Sequence, residues 1–253
     1  MTFSTGPQII AHRGFSARAP ENTMAALDAA VAAGSDAVEF DVQTAACGTP
    51  VLFHDPMLGR TTNGVGPLRR RPLGLLNVLD AGSWFGPEFK DERIPTQEDA
   101  LLRLAGRVQE VYQDIKGYRE MEDLDRIVEI TRRTGMAEVS IFVSSNWVVM
   151  NRLKHVAPEI RRAYLVDAVD RLPEALDRSA VDEGSMLSLE IGLCLEQRDA
   201  VQEARDSGVE LVTWTVNQPG DAAEALALGI RRITTDQVED LLKWKAGLDS
   251  DPA

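Results

Sequence analysis

Two histidines and two carboxylates stand at the ends of apolar, strand-like runs within the first 55 residues of the chain. His12 closes the run QIIAH, and His54 closes the run VLFH. Glu39 and Asp41 are two residues apart in AVEFDV, so an extended chain points both carboxylates to one face. Neighbouring carboxylates repel each other, and a hard divalent cation such as Mg²⁺ or Ca²⁺ relieves that repulsion by binding their oxygen atoms. The segment therefore predicts a catalytic site that combines a metal with histidine acid–base groups.

Strand-like and helical patterns alternate from this segment to the C-terminus. Short apolar runs predict strands, and amphipathic runs between them predict helices. This alternation predicts a parallel sheet whose strands are joined by helical crossovers. The nine predicted strands span residues 8–12, 37–42, 51–54, 111–115, 138–143, 163–166, 186–190, 211–216 and 232–235. The predicted helices span residues 22–33, 97–104, 120–134, 147–155, 172–177, 195–207, 221–228 and 238–246.

Nine strands are one too many for a closed eight-stranded barrel, and chain length identifies the surplus strand. A right-handed crossover needs about a dozen residues, whereas only residues 43–50 separate AVEFDV from VLFH. VLFH is therefore predicted to fold back as a hairpin, with Gly48 at the turn. We expect residues 43–98 to form one excursion on the catalytic face, within which residues 56–93 cover the mouth of the barrel.

The same residues fall in ordered motifs that resemble the glycerophosphodiester phosphodiesterase family. The motifs are HRG at 12–14, PENT at 20–23, EFD at 39–41, HD at 54–55, RTTNG at 60–64, IPT at 94–96, DIK at 114–116, WTVN at 214–217 and TTD at 234–236. They span nearly the whole chain. The resemblance implies an α/β fold, a TIM (β/α)8 barrel formed by residues 1–253 as a single domain. It also implies hydrolysis of glycerophosphodiesters to glycerol 3-phosphate and an alcohol with the help of a divalent metal, Mg²⁺ or Ca²⁺.

His12 and His54 are expected to lie on opposite sides of the phosphorus and to supply a general acid and a general base, and which histidine plays which role stays open. Attack by the glycerol 2-hydroxyl through a cyclic phosphate, and direct attack by water, both use these residues. Asp114 in VYQDIKG is expected to be the third metal ligand beside Glu39 and Asp41.

Three further side chains are expected to contact the substrate. Lys116 and Arg13 would neutralise the phosphate, and Trp214 would pack on the glycerol or alcohol moiety. Two alternatives stay open: Lys116 could form a buried ion pair with Asp114, and Trp214 could belong to the core. His155, in RLKHVAPE, is expected to be an ordinary helix-surface residue.

The chain departs from the family pattern at three positions. Asp114 stands where family members often carry glutamate, so the metal could lie closer to this strand or be bound through a water. Cys47 replaces the acidic turn residue after EFDVQ, which should change the rigidity of the loop and leave the chemistry intact. Ser145 stands where an aromatic side chain would line the pocket, so substrate preference could differ. Asn22 and Thr23 are expected to act mainly at a helix start, and Asp236 as the cap of the last helix.

Composition limits the other classes of function. The net charge of −13 over 253 residues argues against nucleic-acid binding and against stable membrane association. The first residues show no signal-peptide pattern, and Cys47 and Cys194 make no disulfide framework, so we expect a cytoplasmic protein with reduced thiols. The expected partner is a small glycerophosphodiester, and formation of a homo-oligomer stays open.

Alternative functions depend on particular features. A lysophospholipase D-like activity would need an apolar groove, for which the segment 75–89 offers Trp84, Phe85 and Phe89, although packing of the long loop is the simpler interpretation. A binding barrel without catalysis conflicts with the retention of both histidines, all three carboxylates and Lys116. A nuclease-like hydrolase is disfavoured by the acidic charge.

Overall fold

Eight parallel strands form a closed barrel in the computed structural model, which describes residues 6–248. Each strand pairs in parallel with its neighbours, and pairing of the first strand with the second closes the ring. The TIM-barrel prediction is therefore confirmed. The barrel strands are β1 (Gln8–Ala11), β2 (Ala37–Thr44), β4 (Glu110–Gly117), β5 (Ser140–Ser144), β6 (Arg161–Val166), β7 (Met186–Glu190), β8 (Glu210–Trp214) and β9 (Arg232–Thr235).

Helices follow the barrel strands along the chain. They are α1 (Met24–Ala33), α2 (Leu73–Leu76), α3 (Gln97–Leu104), α4 (Met121–Arg133), α5 (Trp147–Val156), α6 (Leu172–Ala180), α7 (Ile191–Glu196), α8 (Arg198–Asp206), α9 (Pro219–Ala227) and α10 (Val238–Leu248). The helix predicted over residues 195–207 is two helices, because Gln197 between them leaves the helical conformation (φ −110°, ψ 41°). Between residues 6 and 248, no helix has the length and apolar character needed to cross a bilayer.

Apolar side chains fill the barrel in two layers. Inside the ring, Ile10, Tyr112, Ile141 and Val212 belong to one buried cluster. A larger cluster fills the space between the strands and the helices. Because both faces of each strand are covered, the strands are almost completely buried, as expected for a parallel sheet.

The ninth strand is the predicted hairpin. Strand β3 (Pro50–Leu52) pairs antiparallel with the end of β2 and takes no part in the barrel ring. Gly48, at the turn, has a φ of +78°, a conformation that glycine adopts without strain. The residues that follow have their own apolar cluster, separate from the barrel core and centred on Phe53, Leu58, Leu68 and Leu76.

A buried ion pair lies in the part of the barrel around β6 and β7. The Arg162 guanidinium in β6 donates to both carboxylate oxygens of Asp182, at 2.9 and 2.7 Å, and the Tyr164 hydroxyl donates to the same carboxylate at 2.9 Å. Both charged side chains are almost fully buried, at 4% and 2% exposed. The pair joins β6 to the segment that precedes β7.

Candidate active site

A cavity of about 210 Å³ opens at the C-terminal ends of the barrel strands. This is the end at which TIM-barrel enzymes carry their chemistry. All eight barrel strands contribute lining residues, either from the strand itself or from the one or two residues after it, and His54 is added by the excursion. The lining includes seven of the eight predicted site residues; the eighth, Asp41, is buried behind the lining surface. The lining consists of His12, Arg13, Glu39, His54, Tyr112, Asp114, Lys116, Val143, Ser145, Leu165, Asp167, Ser188, Val212, Trp214 and Thr234.

Three buried carboxylates converge on one side of this cavity. Glu39 and Asp41 come from β2, and Asp114 lies beside Asp41 on the adjacent strand β4. Oxygen atoms from the three side chains lie within 4.8 Å of one another. Burial and the negative charge of Asp41 raise the pKa of Glu39 to about 8, which reflects the cost of holding like charges together out of water.

This carboxylate cluster fits a hard divalent cation. One oxygen of Asp41 and one of Asp114 are buried and have no hydrogen-bond partner. A buried carboxylate oxygen without a partner is costly, and a cation that takes oxygen ligands removes that cost. The three carboxylates could therefore bind a divalent metal.

Two cations lie against the cluster. The Lys116 Nζ atom is 2.6 Å from an Asp114 oxygen and 3.5 Å from an Asp41 oxygen, so the ion pair considered from sequence is present. Lys116 also lines the cavity, so ion pairing does not remove it from the site. Arg13 reaches Asp41 through Nε at 3.1 Å and Glu21 through Nη1 at 2.7 Å. Its backbone N–H donates to Glu39 at 2.8 Å.

His12 is held by a carboxylate from the other end of the chain. Its Nδ1 atom lies 2.7 Å from Asp236, and its Nε2 atom lies 4.0 Å from Glu39. Burial lowers the pKa of His12, but the hydrogen bond to Asp236 and the charge of Glu39 outweigh it, so the pKa is raised above its usual value. Ser16 and Asn217 also donate to Asp236, at 2.9 and 2.8 Å.

The prediction that Asp236 caps the last helix is therefore wrong. Its carboxylate is occupied by His12, Ser16 and Asn217, and α10 begins two residues later. An aspartate just before a helix has the same signature in sequence whether it caps the helix or turns back to a distant partner. Sequence reasoning thus missed the partner of His12.

His54 has a matching arrangement at the start of the excursion. Its Nδ1 atom lies 2.6 Å from Asp55, whose carboxylate also accepts hydrogen bonds from Arg60 at 2.7 and 3.0 Å. Arg60 reaches Glu21 with two further hydrogen bonds of 2.7 Å. The Gln43 side chain donates to the His54 carbonyl at 2.8 Å. Arg60 in RTTNG therefore connects the excursion to the PENT segment beside the cluster.

Asn22 is a second residue whose position differs from expectation. It has a φ of +58°, outside the helix, and Thr23 is the residue that caps α1. The Asn22 side chain donates to the Asp41 carboxylate at 2.7 Å and accepts from the Asp41 backbone N–H at 3.0 Å. It fixes Asp41 within the cluster in addition to preceding the helix.

The side of the cavity away from the carboxylate cluster contains fewer charged groups. Trp214, at the end of β8, lines it, and its indole nitrogen is buried without a hydrogen-bond partner. Ser145 lines it as well. Trp147 does not replace the missing aromatic side chain, because it is not part of the lining and packs against Tyr164 and the Arg171 guanidinium, which lies 4.3 Å from its ring centre.

The excursion does not cover the mouth as predicted. None of residues 56–93 lines the cavity, although His54 at its start does. Trp84, Phe85 and Phe89 stack edge to face on one another, at 5.6 and 5.5 Å between ring centres. The excursion buries an apolar cluster of its own. His155 is exposed on α5, as expected.

The architecture, with titratable groups gathered at the C-terminal ends of eight parallel strands, is that of a TIM-barrel enzyme. Residues 12–240 match the sequence model of the glycerophosphoryl diester phosphodiesterase family. The chain belongs to this family.

Individual relatives agree with this assignment over nearly full length. A glycerophosphodiester phosphodiesterase of Caldanaerobacter subterraneus is 31% identical over 240 residues, covering 92% of this chain and 96% of the relative. A phosphodiesterase of Oleispira antarctica, solved in complex with the product sn-glycerol-3-phosphate, superposes with a TM-score of 0.88 at 31% identity and 98% coverage of both chains. A glycerophosphodiester phosphodiesterase of Agrobacterium tumefaciens gives a TM-score of 0.80 at 29% identity, covering 92% of this chain and 97% of that chain.

Proposed function

We propose that this protein hydrolyses glycerophosphodiesters to glycerol 3-phosphate and an alcohol, as a single catalytic domain that requires a divalent metal. The observation that carries the proposal is the convergence of three buried carboxylates, two histidines and two cations on one cavity. Membership of the family supports it, as does the product bound to the Oleispira antarctica relative.

Glu39, Asp41 and Asp114 are the proposed metal ligands. A bound Mg²⁺ or Ca²⁺ would supply positive charge to a phosphodiester that otherwise repels its nucleophile. Lys116 and Arg13 would add to that charge where the phosphate binds, because both lie against the cluster and line the cavity. Asn22 and the Arg13 backbone N–H hold the orientation of Asp41 and Glu39.

His12 and His54 are proposed to move the protons. A carboxylate only accepts hydrogen bonds, so the contacts with Asp236 and Asp55 keep a proton on Nδ1 of each ring. Nε2 is then the atom that exchanges a proton with the substrate. One histidine takes the proton of the attacking hydroxyl as the new P–O bond forms, and the other protonates the alcohol oxygen as the old P–O bond breaks.

The nucleophile has two candidates with the same residues. The glycerol 2-hydroxyl could attack first to give a cyclic phosphate that water then opens, or water could attack directly. Trp214 is proposed to pack on the glycerol or alcohol moiety, since its indole ring lines the cavity opposite the cluster.

The test is direct assay of the purified protein. After removal of metal by chelation, Mg²⁺, Ca²⁺ and Mn²⁺ are added singly with glycerophosphocholine, glycerophosphoglycerol or a lysophospholipid, and the products are identified by ³¹P NMR. We expect metal-dependent release of glycerol 3-phosphate from the water-soluble diesters. Cleavage of the lysophospholipid alone would contradict the proposal and favour the lysophospholipase D alternative.

A further inference from the structure

Asp167 is the one charged group among the described lining residues outside the cluster of histidines, carboxylates and cations. It follows β6 directly, and the remaining lining residues on this side are hydroxyl-bearing, aliphatic or aromatic. Its side chain is about half exposed (52%) and contributes to the cavity wall. The end of the cavity beside Arg13 and Lys116 therefore favours a negatively charged phosphate, whereas the end beside Asp167 favours a positively charged group.

Asp167 is only weakly engaged by the protein. Its contact with Arg171 is an ion pair of 3.5 Å, and within residues 6–248 no hydrogen bond to its carboxylate is formed. Arg171 is itself held elsewhere, because it donates to the Ser145 carbonyl and stacks over Trp147 at 4.3 Å. A partly exposed ion pair of this kind contributes little to stability, so the Asp167 carboxylate can turn to a ligand at small cost.

A phosphodiester bound at the cluster has two substituents, and a substituent that extends across the barrel meets this wall, because β6 lies across the ring from β1. An aromatic side chain at position 145 would make the wall apolar, whereas Ser145 and Asp167 make it polar and negative. The indole of Trp214, which lines the same cavity, provides a face on which a cation can lie. A carboxylate together with an aromatic face is a site for an ammonium group, and it opposes an acyl chain.

We propose that Asp167 determines specificity by selecting glycerophosphodiesters whose alcohol carries a positive charge. This inference rests on the proposed function and goes further by assigning the charge of the leaving alcohol. The preference comes from attraction between the Asp167 carboxylate and the ammonium group of the alcohol.

The experiment compares three substrates of similar size that release the same product. Glycerophosphoethanolamine carries a primary ammonium, glycerophosphocholine carries a quaternary ammonium, and glycerophosphoglycerol is neutral in its alcohol. The wild-type protein and the variants Asp167→Asn, Asp167→Glu and Asp167→Lys are assayed with the metal that supports turnover best, by coupled detection of glycerol 3-phosphate. Asp170→Asn is the matched control, because Asp170 is an exposed acidic residue of the same loop and does not line the cavity.

Asp167→Asn should lower kcat/KM for the two charged substrates by about threefold to fivefold and leave the neutral one unchanged, because an exposed ion pair is worth at most about a fivefold effect. Asp167→Glu should keep the preference, Asp167→Lys should reverse it, and Asp170→Asn should change nothing. A larger loss with the primary ammonium than with the quaternary one would indicate a hydrogen bond in addition to charge, and equal losses would indicate charge alone; both support the proposal.

Equal loss on all three substrates would overturn the inference, because Asp167 would then act on the shared glycerol or on folding. Equal activity of the wild-type protein on charged and neutral diesters would overturn it as well, while leaving the proposed function intact. Failure of the wild-type protein to cleave any of the three would refute the proposed function itself, and the inference with it.

Discussion

Replacement of Asp236 with asparagine tests the role of His12 most sharply. The substitution keeps the size of the side chain and removes one charge. In the wild-type protein one Asp236 oxygen accepts from His12 and Ser16, and the other accepts from Asn217. The Asn217 side chain is fixed in turn, because its oxygen accepts from the Asp236 backbone N–H at 2.9 Å.

This network determines how an asparagine would sit at position 236. We expect the orientation that avoids two NH2 groups face to face, in which its amide oxygen accepts from Asn217 and its NH2 group points towards His12. An NH2 group only donates, so His12 Nδ1 must become the acceptor and the proton moves to Nε2. The atom proposed to exchange a proton with the substrate is then protonated in the neutral ring. We expect kcat to fall by about 10²- to 10⁴-fold, the range attributed to general acid–base groups and to loss of the correct histidine tautomer.

Two measurements separate this effect from misfolding. Steady-state kinetics give kcat and KM, and long-range ¹H–¹⁵N NMR of the histidine rings reports which nitrogen carries the proton. The chain has only three histidines, and exposed His155 serves as an internal reference. Ser16→Ala is the control, since it removes one donor and keeps the carboxylate. Wild-type kcat in Asp236→Asn, or an unchanged His12 tautomer with reduced kcat, would refute the argument.

Three further outcomes are expected. Because three buried carboxylates are proposed to share one cation, excess chelator should abolish turnover. For the same reason, Glu39→Gln should weaken metal binding measured by calorimetry. Full activity in excess chelator would contradict the metal assignment. His12→Ala and His54→Ala should each reduce kcat by about 10²-fold or more at an unchanged melting temperature, whereas an unfolded variant would indicate a structural role. Asp182→Asn should lower the free energy of unfolding by about 3 to 5 kcal/mol in urea titrations, because it leaves the Arg162 charge buried without its partner. Burial raises the pKa of Asp182, but its hydrogen bonds with Arg162 and Tyr164 outweigh burial and lower the pKa. The stabilisation by Asp182 is therefore present above the unfolded pKa of about 3.9 and fades as the pH falls through the folded value. An Asp182→Asn variant as stable as the wild-type protein at pH 7 would contradict the prediction.

Local features of the sequence predicted the barrel and the carboxylate side of the site. The spacing of Glu39 and Asp41 sets a common face in any extended strand, and the short connection before VLFH excludes a crossover. The structure confirms the hairpin, and it brings Asp114 beside Asp41 through the strand pairing that the alternating pattern predicts. These features depend on neighbours in sequence or on adjacent strands.

Features that depend on distant contacts could not be predicted in the same way. Asp236 reaches His12 across 224 positions, because the last barrel strand closes against the first. Asn22 looks like a helix-start residue, yet its positive φ turns the side chain towards Asp41. The prediction that residues 56–93 cover the mouth was wrong because a loop of that length can bury an apolar cluster of its own, and its sequence does not show whether it also lines the cavity.

The separate apolar cluster of the excursion affects how the protein loses activity on heating or in denaturant. His54 is joined to this smaller unit through Asp55 and Arg60, whereas His12 and the carboxylates belong to the barrel. Units with their own small core can open while the rest of a protein stays folded. Opening of the excursion alone would displace His54 from the active site. Activity would then disappear at a lower temperature than the circular dichroism signal of the barrel.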